Sequence, residues 1–314
     1  MGISRTSSKL IMRSPIDFHG TVCQLGKQNI RFNSKQLMQD AEKVRFSIKS
    51  IPNFKRGVVA NELYFNTLGF NQVESIDISS NAEPSFVEDL GEDISNTKLL
   101  NNFDLIFDGG TLEHIFNPEK ALNNIKRMLK LNGHIIHQVP CNNLVEHGYF
   151  QFSPSYLNQF YEENNFFVKE ILLICVGPPK LDDFMRVNVY VYDKEEMYRM
   201  HSRGINLPGT HLLIHFVAQK IAEGKMVIPK SDIQAEFLKM HNHSSKQNKH
   251  QSINIGYEKT NFLKSFLRRI FPNTWRKIGI LRRKIGILKN ILSRYFSTLY
   301  DRISGHNLKK LGKF

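Results

Sequence analysis

Residues 103–118 read Phe-Asp-Leu-Ile-Phe-Asp-Gly-Gly-Thr-Leu-Glu-His-Ile-Phe-Asn-Pro. The apolar run Phe103–Phe107 has the length and composition of a short buried strand. It stops at an acid and two glycines, and a polar loop follows. Pro118 then opens a helix that runs to about Lys130. A buried strand, a glycine turn and a helix make a βα unit. In open α/β sheets ligands bind beyond the carboxyl ends of the strands. Asp108, Glu113 and His114 are therefore placed where a ligand is expected.

The same alternation extends in both directions. Thr21–Leu25 reads as a first strand closed by Gly26, and a helical piece follows near Ser34–Arg45. A helix at about Val58–Leu68 ends on Gly69. Val73–Asp77 and Ser85–Asp89 are short strands that each finish on an acid, and His134–Val139 is a further strand after the Asn132–Gly133 turn. Ser153–Pro154 caps and opens a helix to about Asn164. Phe167–Cys175 and Arg186–Tyr192 complete the set, the last alternating well enough for an antiparallel partner. Strands alternating with helices imply parallel βαβ units. The fold class is α/β: a Rossmann-like doubly wound, mostly parallel sheet with a terminal antiparallel hairpin, plus a C-terminal basic amphipathic helical tail. By segment, residues 1–16 form a polar lead-in and 17–196 the main domain. Residues 197–243 form a partly helical extension, 244–256 a flexible linker and 257–314 the tail.

The net charge of +14 is unevenly shared: residues 244–314 hold 17 Lys/Arg against two acids, and residues 1–243 hold 26 against 27. The basic character belongs to the tail, which argues against nucleic acid as the ligand of the main domain. Cys23, Cys141 and Cys175 are far apart, form no Cys-x-x-Cys, and read as buried free thiols suited to a reducing cytosol. No uncharged apolar stretch is long enough to span a membrane. Met1–Thr6 fits a myristoylation pattern, a match short enough to arise by chance. His211 and His215 fall one turn apart on an expected helix, a zinc-compatible spacing. No third ligand accompanies them, so an ordinary helix surface is the reading and no metal is expected.

Five blocks resemble the class I S-adenosylmethionine-dependent methyltransferases, and more narrowly the methyltransferase-like proteins encoded with bacterial surface-glycan assembly. They are Leu25-Gly26-Lys27-Gln28, Ser75–Ser79, Glu88-Asp89-Leu90, Phe103–Asn117 and His147–Pro154, together covering roughly residues 18–176. The usual Gly-x-Gly-x-Gly after the first strand is absent, and only Gly26 stands there. The resemblance implies S-adenosylmethionine as cofactor, a sugar, glycan-precursor or other small-molecule acceptor, and a set of contacts. Asp77, with Ile78 beside it, would accept the ribose hydroxyls; Asp89 and Leu90 would hold the adenine. Leu25, Gly26 and Gln28 would flank the methionine moiety, while Asp108, Gly109 and Gly110 would border the sulfonium. Glu113, His114 and His147 are the catalytic candidates, because a hydroxyl or amine acceptor must lose a proton near neutral pH. Tyr149 and Phe152 shape an acceptor pocket or pack the core. The competing reading is a non-catalytic, membrane-associated assembly or regulatory module.

In the tail, Ile278, Leu281, Ile285, Leu288, Leu292, Tyr295 and Leu299 follow alternating steps of three and four, the heptad pattern of an amphipathic helix. Its flanks are almost all positive, and Phe262, Phe266, Phe271 and Trp275 lie upstream. Basic, apolar and aromatic residues together suit a helix lying on an anionic membrane surface, with self-association or a partner helix as the alternative. The expected location is cytoplasmic, at the inner face of the membrane through this tail.

Overall fold

The computed structural model describes residues 2–50, 61–179, 185–202, 207, 211–230 and 310–313. Two compact units are distinguished. One holds Met1–Lys194, Leu207–Ser231 and Leu308–Phe314, and the other Glu195–Asn206 and Asp232–Asn307. The described part of the second unit falls within one helix, Lys194–Ser202, stabilised by an Arg199–Glu196 ion pair at 2.6 Å.

The first unit opens with a short strand β1 (Gly2–Ile3) and helix α1 (Arg5–Arg13). Then come β2 (Thr21–Leu25), β3 (Asn29–Ile30), α2 (Ser34–Val44), α3 (Asn61–Leu68), β4 (Gln72–Asp77), β5 (Phe86–Val87) and β6 (Phe103–Asp108). Next follow α4 (Pro118–Met128), β7 (Leu129–Asn142), α5 (Pro154–Glu163), β8 (Phe166–Pro179), β9 (Met185–Val191), β10 (His211–Lys220) and β11 (Lys310–Lys313). Nine of these strands form one sheet in the order β11-β9-β8-β10-β7-β6-β2-β4-β5. From β5 to β7 all neighbours are parallel. β10 runs antiparallel to both β7 and β8, and β9 and β11 continue the antiparallel half. The Rossmann-like sheet and the β8–β9 hairpin are as the sequence implies.

Side chains alternate between the two faces of each strand. Val22, Leu105, Phe107, Ile136 and Val217 join one core cluster with Ile11 of α1, Leu37 of α2 and Tyr64 and Phe65 of α3. His137 and Phe216 point to the opposite face, against Tyr161 of α5. Lys126 of α4 donates to Asn164 at the end of α5, so these two helices lie together there.

Three expectations are corrected. Residues 211–220 are not helical: β10 is a strand buried between β7 and β8, so the sheet continues past residue 196. The residues before 17 are not merely a lead-in, because α1 buries Leu10, Ile11 and Met12. The last four described residues, Lys310–Lys313, form an edge strand rather than part of a helix. The linker and the remainder of the tail lie outside the described residues. Among the described residues, no helix is long and apolar enough to cross a membrane.

β10 is pinned by a buried polar chain. His215 is fully buried; Gln138 of β7 donates to its Nδ1 at 3.0 Å, and its Nε2 lies 3.1 Å from Ser14 Oγ. Since Nδ1 accepts, Nε2 carries the proton and donates to Ser14, which itself donates to Leu10 carbonyl at 3.0 Å. Ser7 of α1 bonds the other end of Gln138. Burial lowers the His215 pKa to about 3, so the ring is neutral.

Candidate active site

β2 occupies the switch point of the parallel half. The chain passes from it to β4 on one side and later reaches β6 on the other. The loops leaving β2, β4, β5 and β6 part there and leave a cleft of about 680 Å³. Strand register fixes what meets in it. Leu25 pairs with both Ile76 and Asp108, and Asp77 pairs with Val87, so the ends of four strands are level.

Gly26 forms the floor. Its φ of +68° is a left-handed conformation, and a Cβ there would approach Thr111 Oγ1 to 2.8 Å. Thr111 needs that space because its hydroxyl donates to Leu25 carbonyl at 2.6 Å. Glycine thus satisfies both the turn and the close approach of the β6 loop. The bulkier residues after it leave the cleft open. Gln28 folds inward, its amide donating to Leu25 carbonyl at 3.3 Å, and Lys27 reaches to Glu83 carbonyl at 3.1 Å.

Asp77 and Ile78 line the cleft at the tip of β4, and Asp89 and Leu90 line it after β5. Each acid spends one oxygen on its own loop: Asp77 Oδ1 accepts from Ser79 N–H at 3.0 Å, and Asp89 Oδ1 from Gly91 N–H at 2.8 Å. These short-range bonds hold the carboxylates in place with an oxygen left for a ligand. Ile115 adds apolar wall, and Phe116 and Tyr149 stand at the mouth edge-to-face, 5.4 Å between centroids, although 78% and 68% exposed. Phe152, in contrast, is core.

Asp108 does not border the cleft. It is fully buried, and its Oδ1 accepts from Gly110, Thr111 and Leu112 N–H at 3.2, 2.8 and 3.3 Å. Its Oδ2 meets His137 Nδ1 at 2.7 Å, and His137 Nε2 meets Tyr161 hydroxyl at 2.7 Å. Asp108 therefore shapes the β6 loop from beneath, with His137 as the counter-group that turns it inward. Leu25 is likewise fully buried. Gln28 and Gly109 belong to a second cleft of about 660 Å³, which Arg5, Lys9, Arg31 and Lys43 also line. Asp40 offsets part of that positive charge by gripping Arg5 through two bonds of 2.6 and 2.7 Å. Gly110 and Thr111, beside the displaced pair, do line the first cleft.

The three catalytic candidates converge. Glu113 and His114 lie on a short 3-10 turn (Leu112–His114) after β6, and His147 on the loop after β7. Phe150 N–H donates to Glu113 carbonyl at 3.2 Å and staples the two loops. Glu113 is fully buried, with Oε1 3.5 Å from His147 Nε2 and 3.8 Å from His114 Nε2. Burial first, and then the charge of Asp108, push its carboxyl up to about 8. The His114 pKa is lowered, mainly by burial and then by the neighbouring His147. His114 also lines the cofactor-sized cleft.

Residues 68–204 match a protein family described as a methyltransferase domain. That stretch of the chain is similar to a methyltransferase domain. The strand order of the sheet, with the antiparallel β10 set between β7 and β8, is that of the Rossmann-like methyltransferase fold. The match begins after β2 and ends before β10, so it omits the Gly26 loop. Solved structures similar to this chain include the MccD protein, at 14% identity over 68% of this chain and 96% of that one, with a TM-score of 0.37. The YcgJ protein of Bacillus subtilis shares 11% identity over 70% and 100%, with a TM-score of 0.38. The 1,6-didemethyltoxoflavin-N1-methyltransferase of Burkholderia thailandensis shares 12% over 69% and 78%, with a TM-score of 0.37. No curated protein matches the chain.

Proposed function

We propose that this chain binds S-adenosylmethionine in the cleft at the β2 switch point and transfers its methyl group to a hydroxyl or amine of a small molecule. The observation that carries the reading is the open 680 Å³ cleft, with a glycine floor at Gly26 and two loop-anchored carboxylates, Asp77 and Asp89. Asp77 suits the ribose hydroxyls. Asp89, Leu90 and Ile115 suit a purine that needs one polar edge and an apolar face. Glu88 and Glu92 make that wall more acidic, which favours a cationic sulfonium ligand over an anionic nucleotide.

Methyl transfer from a sulfonium is an in-line displacement, so the protein's work is to align nucleophile and methyl carbon and to exclude water. The acceptor's proton must also leave, and Glu113, His114 and His147 stand at the cleft's edge where it can do so. The second cleft, lined by Gln28 and Gly109, would take the remainder of an acceptor whose reacting hydroxyl or amine reaches the edge formed by Glu113, His114 and His147. Its four cationic side chains against Asp40 favour an acceptor that carries an anionic group. A sugar or glycan precursor as acceptor rests on the sequence resemblance alone.

Calorimetric titration of the full chain with S-adenosylhomocysteine tests the reading. Saturable binding with a Kd of roughly 1–100 μM is expected, the range in which enzymes commonly hold small substrates. No detectable binding at millimolar ligand would refute it.

A further inference from the structure

Glu113 poses a problem that methyl transfer by itself does not solve. Its side chain is fully buried, and among the described residues neither Oε1 nor Oε2 has a hydrogen-bond partner. His147 Nε2, 3.5 Å from Oε1, is also without one. Leaving a buried carboxyl without hydrogen-bond partners is costly, and native structures rarely do so without a reason. The site is nonetheless built with care. A Cβ on Gly148 would come within 2.7 Å of Glu113 carbonyl oxygen and 2.9 Å of its Cγ, so only glycine lets the β7 loop press this closely on the carboxylate. The loop brings His147 in, and the turn after β6 brings His114.

We infer that Glu113, His114 and His147 form a binding site for a divalent transition cation at the edge of the cofactor cleft. One donor atom from each lies within 4.8 Å of the other two. Donors about 2.0–2.2 Å from a tetrahedral cation stand roughly 3.4 Å apart. The separations of 3.5 and 3.8 Å from Glu113 Oε1 are already close to that value. Two imidazoles and one carboxylate suit Zn²⁺, Fe²⁺, Co²⁺ or Mn²⁺ better than Mg²⁺ or Ca²⁺, which prefer all-oxygen shells. Three protein ligands leave coordination positions open, the pattern of reactive rather than structural metal sites. The sequence reading expected no metal, because the pair it weighed was His211 and His215, which the fold places on a strand.

The role assigned to the cation rests on the methyl-transfer reading. An acceptor hydroxyl bound at an open position loses its proton to solvent more easily. The oxygen lone pair then forms the new O–CH₃ bond as the S–CH₃ bond breaks. The electrons of that bond remain on sulfur, giving the neutral thioether.

The test is metal binding, measured on the full chain after chelator treatment, with Zn²⁺ calorimetry and with Co²⁺ as a visible-absorbance probe. Glu113→Gln keeps the shape and removes the metal-binding carboxyl without adding buried charge, so it should fold; His147→Asn is the second variant. Wild type is expected to bind Zn²⁺ at least 10-fold more tightly than either variant, the usual scale for losing part of a metal's ligand environment. Zn²⁺ should raise the unfolding temperature of wild type alone. Equal Zn²⁺ affinity in wild type and both variants would overturn the inference, whatever the other histidines of the chain bind. So would the absence of Zn²⁺ and Co²⁺ binding below about 1 mM, which is weaker than ~4 kcal/mol of binding free energy. An S-adenosylhomocysteine titration of the same samples keeps the two readings apart. Its failure would remove methyl transfer and leave a triad-dependent metal site standing.

Discussion

Replacing Asp77 is the sharpest probe of how the cofactor is held. Oδ1 accepts the Ser79 amide at 3.0 Å, so the carboxylate is already oriented before any ligand arrives. Hydrogen bonds to a charged acceptor contribute about 1.5–3 kcal/mol each. The cleft is open to water, which favours the lower end. Two ribose hydroxyls on one carboxylate then amount to about 3 kcal/mol, or roughly 100-fold in Kd. Asp77→Ala should show that full loss. Asp77→Asn keeps an acceptor for Ser79 and for one hydroxyl but loses the charge, and about 10-fold is expected. Calorimetry with both S-adenosylhomocysteine and S-adenosylmethionine separates hydrogen bonding from attraction to the sulfonium. Ribose contacts weaken both ligands equally, whereas a charge effect weakens only the cation. A loss below about 3-fold in the alanine variant, within the usual factor-of-two-to-three scatter of such contacts, would refute the ribose assignment. A loss confined to S-adenosylmethionine would refute it as well.

Asp108 should behave differently, as a structural pin. Asp108→Ala strips three amides and His137 of their buried acceptor and should cost about 3–5 kcal/mol of stability in thermal or urea unfolding. Asp108→Asn should cost far less and leave S-adenosylhomocysteine affinity within about 3-fold, well under the loss of one charge-assisted bond. Acid should weaken the fold through His215. The unfolded ring takes up a proton near its ordinary 6.5, while the folded ring stays neutral until about pH 3. Unfolding free energy therefore falls as pH drops through that window, by about 2 kcal/mol between pH 7 and 5. The folded ring is faced by Ser14, Gln138 and, at 3.8 Å, Glu170. His215→Gln should flatten the acid slope of urea midpoints; an unchanged slope would contradict this account. For the tail, deleting residues 257–300 should abolish flotation of the protein with anionic liposomes, and equal flotation of both forms would remove the membrane reading.

Much of the site was legible because its chemistry sits at strand tips. An acid ending an apolar run, as at Asp77 and Asp89, can be located without coordinates. The convergence of Glu113, His114 and His147 was legible because both loops leave the same end of the sheet. Asp108 was misjudged for a physical reason. An acid at a strand tip looks alike whether it faces outward or inward, and the direction is set by His137 on another strand. β10 was missed because Leu212–Val217 is apolar without clear alternation apart from His215, as befits a strand covered on both faces, and such a run has no helix-or-strand signature. The inward face of α1 was hidden because Ser8 is buried against a partner distant in sequence, the hydroxyl of Tyr64 at 2.9 Å.

The placement of β10 governs how this protein can be made. Its neighbours β7 and β8 bond to it along almost their whole length and do not pair with each other. A ribosome must therefore deliver more than two-thirds of the chain before the middle of the sheet can be zipped shut. Until then two long apolar edges stand unpaired, a hazard for aggregation. An excised 68–204 fragment would keep that gap permanently. Expression trials that trim the chain to the family-matched region should therefore yield insoluble material, and splitting the gene anywhere before Lys220 should require the pieces to be co-produced.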